Sequence, residues 1–169
     1  MKVFSRSRTL LAGALLISMF GSNQPALSQS TDYLVVRFVE VDVHRRLDSR
    51  RKPTPELYAK VNFPGYNWVR SSGEVVGSNI YPGWVFSRNV RASNSHTIGI
   101  EVWDRDGGRG QRDDRGLGTT INNINIENCN YGVGETKVGY SGQRVDGMCV
   151  IRHRLHGSHL TADVIVEAY

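Results

Sequence analysis

The sequence predicts an all-β fold, an antiparallel β-sandwich of eight strands, on three observations. Past residue 28 almost every apolar segment is short, rich in Val, Ile, Tyr and Trp, and bounded by Gly, Asn, Asp or Pro. These segments recur at the spacings of a two-sheet sandwich. No stretch of 11 or more residues beyond the N-terminal region places apolar residues at i, i+3, i+4 and i+7, which disfavours an α/β fold.

The first element is a leader. Lys2, Arg6 and Arg8 precede an apolar run from Leu10 to Phe20, and Ala26 and Ser28 stand in the small-x-small arrangement of a cleavage site. This predicts a signal peptide over residues 1–28, a domain over 29–169, and a secreted or periplasmic location. The apolar run is shorter than the roughly 18 residues that a spanning helix needs, so no transmembrane anchor is expected after cleavage. Cleavage removes three cations and no acid, which lowers the formal charge from +5 to +2. Basicity is thus no argument for a nucleic-acid partner. The remaining 141 residues suit one compact domain.

The strand segments follow in order. Tyr33 to His44 alternates from Val35 onward, with Val35, Arg37, Val39, Val41 and Val43 on one face. Glu56 to Phe63 comes next, then a weak segment from Tyr66 to Ser71. Ile80 to Val90, His96 to Asp104, Gly118 to Ile126, Met148 to Leu155 and Leu160 to Tyr169 complete the set. The Asn- and Gly-rich run from Asn122 to Tyr140 reads as a strand end followed by a long loop. In an oxidising compartment Cys129 and Cys149 are expected to form a disulfide that tethers it.

The run WDRDGGRGQRDDRGLG carries the most chemistry. Asp104 and Asp106 are two apart, so a continuing strand would point both carboxylates the same way. Gly107 to Gly110 lets the chain double back and return Asp113 and Asp114 towards them. Carboxylates within about 5 Å of each other repel by about 3 kcal/mol per pair at an effective dielectric near 20. Calcium answers that repulsion with six to eight oxygen ligands, whereas zinc and copper find no His or Cys in this loop. An EF-hand is excluded, because Gly108, Arg109 and Arg115 occupy positions that need an oxygen ligand, a Gly and a Glu. The competing reading is self-neutralisation, since Arg105, Arg109, Arg112 and Arg115 interleave with the four aspartates.

The successive runs ELYAKV, YPGWVF and IGIEVWDRDGGRGQRDD make the chain resemble the C-two domains, eight-stranded Greek-key sandwiches that bind calcium and phospholipid. The resemblance spans Glu56 to Asp114. It implies metal ligation by Asp104, Asp106 and Asp114, with Asp113 as an alternative or additional ligand and Asp48 and Glu56 contributed by the first loop. Glu56 stands where the family has Asp, its interval from Asp48 is longer than usual, and Tyr81 replaces the Asn of the family's corner. The first loop also carries Arg45, Arg46, Arg50, Arg51 and Lys52, a basic set suited to an anionic ligand such as a phospholipid surface, or else to pairing with the acidic loop. The tip from Gly107 to Arg112 has no apolar residue to insert, so membrane contact would be peripheral and salt-sensitive.

Other constellations carry less. His153, His156 and His159 would not share one face of a strand, which disfavours a three-His metal site. Trp68, Trp84 and Trp103 are expected to pack in the core or on a sheet, with a sugar-stacking platform as the other option. No nucleophile elbow, phosphate loop or HExxH motif is present, and no enzyme is expected. The functional expectation is a secreted calcium-binding module that engages an anionic partner through its loop tip. The alternatives are a structural or interaction sandwich with arginine in place of metal, and a carbohydrate-binding module with structural calcium.

Overall fold

In the computed structural model the described residues are 30–45, 47, 54–106, 112–136 and 138–169. The leader, Arg46, Asp48, Arg50, Arg51 and Lys52 lie outside them. The described residues contain no helix, and the strands run β1 (Thr31–Val43), β2 (Glu56–Asn62), β3 (Val69–Arg70), β4 (Val75–Val76), β5 (Asn79–Ile80), β6 (Val85–Arg91), β7 (His96–Asp104), β8 (Asp114–Ile124), β9 (Asn130–Val133), β10 (Gly139–Ser141), β11 (Gln143–Val145), β12 (Met148–His156) and β13 (Leu160–Ala168).

Two antiparallel sheets form an all-β sandwich. The first runs β11-β12-β13-β1-β5, with β6 also paired to β1 along Thr31 to Arg37. The second runs β10-β9-β8-β7-β2-β3, with β4 also on β2. The core between them is built from Leu34, Val36 and Phe38 of β1, Leu57, Ala59 and Val61 of β2, Ile98, Ile100 and Val102 of β7, and Val164 and Val166 of β13, among others. Phe38 anchors one corner, where Trp84 and Phe86 meet it edge-on at centroid distances of 5.6 and 6.0 Å.

The expected count of eight strands becomes thirteen among the described residues; two short strands, β4 and β11, lie in segments read as connections, and the other three additions have local reasons. The segment Ile80 to Val90 is broken at Pro82-Gly83 into β5 and β6, since Pro has no ladder donor and Gly83 takes a positive φ of 63°. The Asn- and Gly-rich run expected as a loop instead holds the short outer strands β9 and β10. The single face expected for Val35, Arg37, Val39, Val41 and Val43 is broken in the structure. A register shift between Phe38 and Glu40 inserts Val39 as a bulge, so Leu34, Val36 and Phe38 point inward before it and Val41 after it. Val39 is left exposed.

The expected disulfide is present: Cys129 and Cys149 are joined with a Cα–Cα distance of 5.1 Å across 20 residues. It links the turn before β9 in the second sheet to β12 in the first. Of the three tryptophans only Trp84 enters the core; Trp68 is exposed.

Candidate loop-end binding site

The sandwich end that gathers the end of β1, the start of β2, the end of β7 and the start of β8 carries the predicted acidic residues. Asp104 closes β7 on the same inward face as Ile98, Ile100 and Val102, and is only 1% exposed. Its Oδ1 accepts the backbone N–H of Glu56 at 2.8 Å, which ties the first turn of β2 to the last residue of β7. The Arg105 N–H returns a bond to the Glu56 carbonyl at 2.9 Å. Glu56 therefore enters this end through its backbone N–H and carbonyl.

Asp114 opens β8 directly opposite Asp104 in the antiparallel ladder. Like charges at directly opposed positions destabilise a pair of strands. Asp106, two residues past the end of β7, is half-buried, and Asp114 is exposed. Asp113 is drawn elsewhere. Its Oδ2 accepts the hydroxyl of Tyr58 at 2.6 Å. Tyr58 alternates with Leu57 and Ala59, both core residues, so it lies on the outer face of the second sheet, the side opposite to Asp104. Burial, followed by the hydrogen bond to Asp113 and its negative charge, holds the Tyr58 phenol well above its usual range. The Arg70 guanidinium covers the Tyr58 ring at 3.6 Å.

Two of the four interleaved arginines serve other carboxylates. Arg105 binds both oxygens of Glu74 at 3.1 and 2.9 Å, and Glu74 also takes Arg70 at 2.5 Å. Arg115 reaches Glu101 at 2.9 Å. Both pairs lie away from Asp104, along the outer face of the second sheet. Arg109 falls outside the described residues. Of the basic first-loop set only Arg45 is described; it is exposed, and its backbone N–H bonds to the His159 carbonyl at 3.0 Å, which ties the first loop to the β12–β13 turn.

The donor chemistry suits calcium, because the acidic residues at this end are carboxylates. Among the described residues, however, no three His, Cys, Asp or Glu side chains are grouped so as to hold a metal ion. A complete ligand shell would have to draw on Asp48 or on the loop 107–111, both outside the described residues. The histidines are dispersed: His153 turns inward and accepts or donates to the Tyr131 hydroxyl at 3.1 Å, while His156 is exposed.

Sequence reasoning did not single out Tyr58 or Glu74. The signal for Tyr58 was its phase, one residue out of step with Leu57 and Ala59. Glu74 carries no such signal, because its pairing with Arg105 spans 31 residues and depends on how β4 docks on β2.

No protein-family model matches the sequence, and no curated protein matches it either. Solved structures match the fold. A C-two domain protein from Ramazzottius varieornatus superposes with a TM-score of 0.55 at 10% identity, covering 83% of this chain and 89% of that one. Human GIVD cytosolic phospholipase A2, in complex with methyl gamma-linolenyl fluorophosphonate, gives a TM-score of 0.55 at 13% identity over 82% of this chain. This chain spans only 17% of the length of that phospholipase. A structure of extended synaptotagmin 2 holding two C-two domains gives a TM-score of 0.50 at 14% identity, covering 96% of this chain and 48% of that one. The fold is therefore C-two-like.

Proposed function

We propose that this chain is an exported, non-catalytic binding module that presents its acidic loop end to an anionic partner, with calcium drawing Asp104, Asp106 and Asp114 together and completing its shell from Asp48 or the loop 107–111. The observation that carries this reading is the placement of Asp104 directly opposite Asp114, with Asp106 two residues further on. Such a set of like charges is stable when a cation lies among them. Arg105 is committed to Glu74 and Arg115 to Glu101, so neither of these two arginines serves as the counter-charge at this end. Bound there, calcium would supply a positive charge that reverses the sign of the tip for phosphate or carboxylate oxygens of the partner.

The chain's own residues do the rest. Asp104 is pre-positioned by the Glu56 N–H, and Arg45 on the adjoining loop adds a cation that favours an anionic surface. Arg46, Arg50, Arg51 and Lys52 would extend this basic rim. The Cys129–Cys149 bond supports an oxidising compartment, and with it the reading of residues 1–28 as a signal peptide. Among the described residues no helix is long and apolar enough to cross a membrane.

Calorimetric titration of the mature protein with calcium tests the proposal. Saturable binding with a dissociation constant of about 0.1 to 1 mM is expected. It should vanish in Asp104→Asn and Asp106→Asn and survive in Asp113→Asn, whose side chain is taken by Tyr58. Sedimentation with phosphatidylserine vesicles, with calcium and with chelator, then tests the partner. Absence of calcium binding removes the metal reading, and absence of vesicle binding at low salt removes the phospholipid partner.

A further inference from the structure

The outer face of the second sheet carries a second constellation, well separated in role from the acidic end. Adjacent ladder rows place Tyr58, Trp103 and Arg115 side by side, then Lys60, Glu101 and Gly118, then Asn62, Gly99 and Thr120. Two of these central-strand positions are glycines, which weaken a strand unless something must approach the backbone closely. At Gly99 that something is Trp68: a Cβ there would sit 2.8 Å from the indole Cη2 and 3.2 Å from Cζ2. At Gly118 it is Arg115, whose Cδ and Nε would each be 3.0 Å from an added Cβ. Each glycine lets a large side chain settle onto the sheet.

The result is a hollow of about 490 Å³ between Trp68 on one side, the Arg115–Glu101 pair on another and the Gly134-Glu135 turn on a third. Trp68 rests on Gly99 and keeps 47% of its surface exposed, which leaves much of the indole open to a ligand. The Glu101 carboxylate is held by two bonds, from Arg115 Nη1 at 2.9 Å and from Trp103 Nε1 at 2.8 Å, which fixes its direction before any ligand arrives. Lys60 caps the Trp103 ring at 4.3 Å, so that ring is taken, and among the described residues lining the hollow Trp68 offers the free aromatic surface.

The lining selects among ligands. Arg115 and Lys60 are balanced by Glu101 and Glu135, so an anion meets no net attraction. Hydrocarbon would have to desolvate the ion pair. A pyranose ring fits both demands, because it presents a face of C–H bonds to an indole and a rim of hydroxyls to carboxylate, guanidinium and Thr hydroxyl groups. We propose that this face binds a neutral saccharide, with Trp68 as the stacking platform and Glu101, Arg115 and Thr120 as the groups that read its hydroxyls. This site is independent of the calcium reading, and nothing in it uses Asp104 or Asp106.

Affinity electrophoresis of the mature protein through gels containing β-glucan, xylan, galactomannan or amylose tests it. At least one neutral polymer should retard the protein, with a dissociation constant of about 1 mM or tighter. Retardation should be lost in Trp68→Ala, weakened in Glu101→Gln, and retained in Trp68→Phe, whose ring still stacks. It should also persist in chelator and in Asp104→Asn, so the two sites fail separately. Circular dichroism on Trp68→Ala confirms its fold, and the Glu101→Gln and Trp68→Phe pair decides the matter if that variant does not fold. The proposal is overturned if none of the four polymers retards the wild type, if Trp68→Ala is retarded as strongly as wild type, or if only acidic polymers such as alginate retard it.

Discussion

Replacing Asp104 separates two of its roles, because alanine removes both the acceptor and the charge, whereas asparagine removes the charge and exchanges one oxygen for an amide NH2 but keeps an oxygen that can accept the Glu56 N–H. The Glu56 N–H donates to Asp104 Oδ1 at 2.8 Å beside a carboxylate that is 1% exposed. Stripping a buried donor of its acceptor costs about 1 to 3 kcal/mol. Asn keeps an oxygen at the same place, and losing one of two like charges across the β7–β8 ladder returns roughly 0.2 to 1 kcal/mol. In chelator, Asp104→Asn should therefore lie within about 1 kcal/mol of wild type. Asp104→Ala should lose about 1 to 3 kcal/mol, a drop in Tm of about 3 to 12 °C for a domain of this size.

Calcium at about a hundred times its dissociation constant should then raise wild-type stability by about 2.7 kcal/mol and leave both variants unmoved. Differential scanning fluorimetry of the three proteins, with calcium and with chelator, reads all six values. If Asp104→Asn in chelator falls as far as Asp104→Ala, the carboxylate is doing more than accepting one bond. If Asp104→Asn still gains the full calcium shift, the ion is not held at this end of the sandwich.

Three further outcomes follow from the packing. Gly157→Ala should destabilise the protein by about 1 to 3 kcal/mol in urea melts. An added Cβ there would collide with the Gly116 carbonyl and lie 2.8 Å from Leu117 Cα, whereas Gly73→Ala, with open space around it, should change nothing measurable. Replacing Cys129 and Cys149 together by serine should cost about 3 kcal/mol on the chain-entropy account, read from the same melts, and an unchanged midpoint would mean that the bond does not form in solution. His153 is held below its usual pKa first by burial and then by the positive charge of His156. Its folded pKa is thus below its unfolded one, so the stability it contributes is complete above about pH 6.5 and is lost as pH falls from there through the folded pKa. A His153→Gln variant should flatten the fall in stability between about pH 6.5 and 5, and an unchanged slope would place the titrating group elsewhere.

Much of the fold was legible in the chain. Short β-branched and aromatic runs set apart by Gly, Asn and Pro foretold two antiparallel sheets, and two cysteines in a chain expected to be exported foretold the disulfide, because both are properties of local composition. The acidic end was legible as a set of residue types, since Asp104, Asp106, Asp113 and Asp114 are close in sequence and flank a Gly-rich turn. Where each carboxylate points was not.

Local pattern determines which segments become strands and which chemistry they carry, because side-chain alternation and turn propensity act within a few residues. Register and face belong to the tertiary structure. The Val39 bulge shifts the inward phase of β1 by one residue between Phe38 and Val41, and only the β7–β8 pairing put Asp114 across from Asp104 while Tyr58 drew Asp113 to the other side of the sheet. The outer face of the second sheet owes still more to long-range pairing. Trp68 finds Gly99 across 31 positions, and Glu101 finds Arg115 across 14, because strand neighbours are chosen by how two sheets close over a shared apolar interior, which no window of sequence contains.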